Sequence, residues 1–236
     1  MGSLKEWADK WIELASFTGE RLYDQDDRIE AVIAHWNEPV SADWMRGPDP
    51  RLHVAGERYG RGTKSASHVP SGEQLIEEEV LDRSAPVTSL GWTVVDGLNA
   101  LPLTTNPGRG REGNVEADML LLVQRGDGYA LHVLEVKVSD KNPWYAAVES
   151  LRQLKLFSES ASAKGVFQKR QRHLNLPLEM QITGIVLARR AYYETRWQKA
   201  NSVEPAQRLL RRIGNETGIT ALLATWDSTL RAIEPL

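Results

Sequence analysis

Residues 116–137 read EADMLLLVQRGDGYALHVLEVK, and the fold turns on how this stretch is read. Two apolar runs, 117–124 and 129–138, flank Arg125-Gly126-Asp127-Gly128. Gly and Asp tolerate the backbone of tight turns, so the pattern predicts a β-hairpin. With Arg125–Gly128 as a four-residue loop, Asp118 stands opposite Glu135. With Asp127-Gly128 alone as the loop, Asp118 stands opposite Lys137 and two residues from Glu135. Side chains alternate with period two, so in both registers Asp118, Glu135 and Lys137 share a face.

Leu120, Leu122, Leu131 and Val133 fall on one face, and Met119, Leu121, Val123, Leu134, Val136 and Val138 on the other. Strands apolar on both faces belong inside a covered sheet. Three charges at one end of such a pair are costly to desolvate unless they pair with one another or hold a cation. Two neighbouring carboxylates suit Mg²⁺, which takes one or two carboxylates and keeps several waters. An adjacent ammonium can orient an attacking water and stabilise charge on a phosphoryl group.

Asp118, followed after sixteen residues by Glu135-Val136-Lys137, resembles the signature of the PD-(D/E)xK nuclease superfamily, with Ala117 where the name has Pro. The resemblance implies a restriction-endonuclease-like α/β fold: an αβββαβ core with a central mixed sheet flanked by helices. It implies a nuclease hydrolysing phosphodiester bonds, with nucleic acid, DNA foremost, as partner, and it leaves a homodimer open. Asp118 and Glu135 would hold Mg²⁺ or Mn²⁺ with the Val136 carbonyl, and Lys137 would assist the attacking water. Members also carry a Glu on the first helix; Gly72, Ile76-Glu77 and Val80 match that spacing, which selects Glu77 over Glu73, Glu78 and Glu79. Gln153 to Phe157 resembles the Q-x-x-x-Y element of RecB-like members, with Phe for Tyr, and gives Gln153 a role in positioning substrate or water. The alternative is a non-catalytic nucleic-acid-binding or interaction module.

The remaining chain supplies elements around the hairpin. Ser71 with Gln74 reads as a capping box opening a helix, 89–96 as a strand, and Asn142-Pro143 as a helix start. Residues 179–188 read as a strand, 205–213 as a helix with Gly214 as its cap, and 219–226 as a last strand. Residues 1–70 read as an N-terminal extension, with helices at Leu4/Trp7/Trp11/Leu14 and Ile29/Val32/Ile33/Trp36 and a Gly/Pro-rich linker. Residues 71–236 form the nuclease-like domain. Glu149, Gln153 and Phe157 line one stripe of the helix after Pro143.

Composition narrows the classes. The 236 residues include no Cys, which excludes disulfides and thiolate metal sites and fits a cytoplasmic protein. No apolar run suits a membrane span. Net charge is −3, divided between an acidic front (residues 1–163: 17 basic, 26 acidic) and a basic back (12 basic, 6 acidic). Gly108–Gly113 forms a G-x-G-x-x-G but joins no strand to a helix, so it is read as a loop. The five His show no metal-ligand spacing, and His132 falls on the face opposite Glu135. Neither a P-loop nor a G-x-S-x-G elbow occurs.

Overall fold

The computed structural model describes residues 3–16, 25–44, 72–82, 84–104, 115–138, 142–160, 165, 167–168, 171–177, 179–194 and 197–236. The Gly108–Gly113 loop, most of the linker before residue 72 and Ser71 lie outside these. Helices are α1 (Leu4–Ala15), α2 (Gln25–Trp36), α3 (Glu73–Leu81), α4 (Pro143–Glu159), α5 (Arg190–Glu194) and α6 (Trp197–Thr217), with a short 3₁₀ turn at Ala42–Trp44. Strands are β1 (Thr88–Ser89), β2 (Trp92–Pro102), β3 (Glu116–Arg125), β4 (Gly128–Lys137), β5 (Gln181–Ala188), β6 (Thr220–Asp227) and β7 (Ala232–Pro235).

The hairpin forms in the first of the two registers. Met119 pairs with Leu134 and Arg125 with Gly128, so the loop is Gly126-Asp127, with Gly126 at φ +57°. This places Asp118 level with Glu135. The two apolar faces divide as the alternation requires. Leu120, Leu122, Leu131 and Val133 pack under the helices. Met119, Leu121, Val123, Leu134 and Val136 join Ile185, Leu187, Ala224 and Trp226 in a second core, with Ile76 and Val80 of α3.

That second core is where the expected architecture fails. The sheet is not the open central sheet of a restriction-endonuclease-like fold: β1 to β7 pair in sequence order and the ring closes from β7 back to β1. Pairs β4–β5, β5–β6 and β7–β1 are parallel and the others antiparallel, so the barrel is mixed. The expected strand at 89–96 is two strands. Ser89 pairs with Trp92 across a Leu90-Gly91 turn in which both residues have positive φ (53° and 76°). This is the backbone of a type I′ hairpin. Closure is a short parallel ladder, Thr88 with Ala232 and Ser89 with Ile233, whose flanking bonds include Thr88 N–H to Arg231 O at 3.0 Å and Leu90 N–H to Ile233 O at 2.9 Å. A register shift between Val94 and Asp96 marks a bulge in β2, a device that bends and twists strands.

One side of the barrel is sheathed by helices. Asn142 caps α4, its Oδ1 accepting from Tyr145 N–H at 2.8 Å, with Pro143 in the first turn. α4 supplies the crossover that parallel β4 and β5 require. It lies close on the sheet because Gly184 has no side chain: a Cβ there would sit 2.7 Å from Leu154 Cδ2. α1 and α2 share this core, with Trp7, Trp11, Val32 and Trp36 buried beside residues of α4 and α6. Trp144 donates its indole N–H to Leu14 O at 3.0 Å, tying α1 to α4. The cap of α3 is Gly72 at φ +61°, without a side-chain cap bond. α6 runs through both Pro205 and Gly214. Among the described residues no helix is long and apolar enough to cross a membrane.

Candidate active site

The β3–β4 ladder stops at Met119 and Leu134, one residue short of the charged pair. Beyond that rung the backbone bond is replaced by a side chain: Val136 N–H donates to Asp118 Oδ2 at 2.8 Å. Glu135, 1% exposed, and Lys137, 8% exposed, follow on the helix-covered face with Leu131 and Val133. The Lys137 ammonium makes a close ion pair with Glu135, reaches Glu149 at 3.1 Å and lies 3.9 Å from Glu73. From α4, Gln153 donates its amide N–H to the other Glu135 oxygen, and Glu149 meets Arg152 at 3.3 Å.

The expected residues occupy one neighbourhood in different ways. Glu135, Lys137 and Gln153 are linked by these contacts, and Asp118 joins them through the Val136 N–H. Glu77 lies at the rim, accepting from Asn99 Nδ2 at 3.3 Å, and its charge helps raise the Asp118 pKa. Val136 contributes its N–H, through Asp118. Glu79 turns elsewhere, to Trp226 Nε1 at 2.6 Å and Arg189 at 2.9 Å. Four further residues were given no role from sequence: Glu73, Asn99, Glu149 and Arg152. Glu149 was legible in part, because it stands four residues before Gln153 and so on the same side of α4. His132 points into the barrel, its Nδ1 2.7 Å from Ser89 Oγ, and burial lowers its pKa to about 4.

Negative charge is in excess here, and the protonation behaviour follows. Burial, reinforced by Glu77 and Glu73, raises Asp118 to about 7 against the pull of Lys137 and the Val136 N–H. Burial and then the Asp118 and Glu149 charges push Glu135 well above the usual carboxylate range. Burial alone would lower Lys137, but Glu135, Glu149 and Asp118 overcome it and hold the ammonium protonated. Glu149 is lowered despite its burial, by Lys137, a hydrogen bond with Glu135 and Arg152.

Two carboxylates raised by burial and by neighbouring negative charge form a hard-oxygen donor set suited to a divalent cation. Orphaned acceptors fit the same group: Gln153 Oε1 and Asn99 Oδ1 are buried with no hydrogen-bond partner among the described residues. Buried acceptors without donors are rare, and water on a cation is one source of donors. Among the described residues no three His, Cys, Asp or Glu stand as a ready cation cage. Mg²⁺ does not need one, since waters complete its octahedron. No protein-family model, curated protein or solved structure matches this chain, so the site is read from its own geometry.

Proposed function

We propose that the protein is a Mg²⁺- or Mn²⁺-dependent nuclease hydrolysing phosphodiester bonds, with DNA as the foremost substrate. The observation that carries the reading is the meeting of Asp118, Glu135 and Lys137 beyond the last rung of a buried hairpin, with Gln153 over them. The likeness to PD-(D/E)xK enzymes is held here at the level of that residue pattern and not of the barrel around it. Asp118 and Glu135 would hold the cation, with Glu77 and the Val136 carbonyl to complete the set. A bound divalent cation supplies Lewis-acid stabilisation of the phosphoryl oxygens and lowers the pKa of a coordinated water.

The chain's own groups divide the rest. Lys137 keeps its proton, so it acts as a hydrogen-bond donor and positive charge toward a phosphoryl oxygen and not as a base. Gln153 is oriented by its N–H on Glu135, which leaves Oε1 to accept from an attacking water and so align it. Burial of Glu135, Lys137 and Gln153 keeps bulk water from screening these charges.

The competing reading, a non-catalytic binding module, draws on one observation: Lys137 already bridges Glu135 and Glu149, a self-neutralising arrangement. Incubation with plasmid, linear duplex, single-stranded DNA and RNA in Mg²⁺ or Mn²⁺ separates the two. Metal-dependent cleavage lost in Asp118→Ala and Glu135→Ala supports the nuclease. Nucleic-acid affinity that survives Asp118→Ala, Glu135→Ala and Lys137→Ala, with no cleavage by the parent, supports the module.

A further inference from the structure

We propose that Arg152 binds a phosphate of the substrate strand adjacent to the scissile one, a subsite that rests on the nuclease reading. Tyr145, Glu149 and Arg152 follow one another at i, i+4 and i+7 along α4, which places them on one side of the helix. Glu149 ties that side to the reacting groups through Lys137 at 3.1 Å. Arg152 therefore stands one carboxylate away from the ammonium that faces the scissile phosphate.

Its own bonding is incomplete. A guanidinium offers five N–H donors. Among the described residues its one ion pair is a single contact, Nη2 to Glu149 Oε1 at 3.3 Å, while Nε is buried and has no acceptor. A buried donor left unpaired is unfavourable, and a part-buried i,i+3 pair does not require it. Phosphate fits the gap: a planar fork with two parallel N–H groups matches two phosphate oxygens, which a lone carboxylate contact at the fork's end does not exploit. Other cations around α4 and α3 are engaged elsewhere. Lys155 pairs with Glu159 at 3.0 Å and sits over the Trp36 ring, and Arg189 pairs with Glu79. A polyanion arriving at so acidic a site needs a cationic contact beyond the scissile group, and Arg152 is placed to give it.

The test has a binding arm and a cleavage arm. In the first, the parent, Arg152→Gln and Arg152→Lys bind a labelled single-stranded 12-mer in Ca²⁺, read by fluorescence anisotropy at several salt concentrations. Loss of one phosphate contact should weaken Arg152→Gln and lower the slope of log K against log salt by about 0.7. Arg152→Lys should recover part of both. In the second, Mg²⁺-dependent cleavage of the 12-mer is compared with that of bis(p-nitrophenyl) phosphate, a diester with no neighbouring phosphate. Arg152→Gln should lose about tenfold or more in kcat/KM on the oligonucleotide beyond its loss on the small diester. An unchanged salt slope, or equal losses on both substrates in a variant that unfolds like the parent, overturns the subsite and leaves the nuclease reading standing. A parent that neither binds nor cuts the oligonucleotide overturns both.

Discussion

Replacing Asp118 by Asn should make the protein more stable at alkaline pH while abolishing its use of a cation. Asp118 titrates near 7 in the folded chain and near its ordinary 3.8 when unfolded. A carboxyl raised in this way contributes its full stability below about pH 4. That contribution fades as pH climbs through 7, because the folded state must surrender a proton the unfolded state has already lost. The interval from 3.8 to about 7 corresponds to at most ~4 kcal/mol at pH 8. Asn is isosteric, keeps an oxygen to accept the Val136 N–H and cannot ionise. Urea unfolding in EDTA should therefore show parent and Asp118→Asn similar near pH 4, with the variant gaining on the parent by up to ~4 kcal/mol by pH 8. Millimolar Mg²⁺ should restore the parent at pH 8, by RT ln(1 + [Mg²⁺]/Kd), and leave the variant unmoved. A stability difference flat across pH, or a variant weaker than the parent at pH 8 in EDTA, would refute the account of a carboxylate whose charge is penalised by burial.

Four other outcomes are expected. Asp118→Ala and Glu135→Ala should each lower cleavage by about 10²–10³-fold or more, and the double variant should cost little beyond either alone, because both act through one cation. Lys137→Ala should slow cleavage while isothermal titration still detects divalent cation, since an ammonium is not a ligand. EDTA should stop cleavage, Mg²⁺ or Mn²⁺ should restore it, and Ca²⁺ should bind without supporting efficient turnover; full activity in excess EDTA contradicts the reading. Gly184→Ala should cost about 1–3 kcal/mol in urea unfolding, because the new Cβ would lie 2.7 Å from Leu154 Cδ2.

The hairpin was legible because its information is local. Alternation from Ala117 to Gln124 and from Tyr129 to Val138 separates two faces, and the Gly and Asp between them mark the turn. Those two facts put Asp118, Glu135 and Lys137 together in either register. Asn142-Pro143 announced α4 for the same reason, a cap whose partner is three residues away. Barrel closure was not legible. It depends on β1, two residues long, and on a type I′ turn built from Leu90-Gly91, where Leu occupies a conformation that sequence signals reserve for Asn, Asp or Gly. β7 is four residues long and follows Arg231, another non-glycine at positive φ. Strands too short to carry a period leave no pattern to read. Arg152 and Asn99 were missed because their places depend on how α4 and β2 pack, which no spacing along the chain encodes.

The end of the β3–β4 ladder at Met119 and Leu134 has a mechanical consequence. Rungs of backbone hydrogen bonds fix the distance between strands, so groups mounted on them inherit that distance. Asp118 and Glu135 stand past the last rung, and Asp118 reaches across through a rotatable side chain to the Val136 amide. The backbones stay held by β2 and β5 on the outer sides, so what a torsion can adjust is the separation of the carboxylate oxygens. The pair can widen or narrow around an occupant by turning that one bond, while every rung below stays made. The paired part of the hairpin works as a clamp body, and the side chains just past its last rung as adjustable jaws.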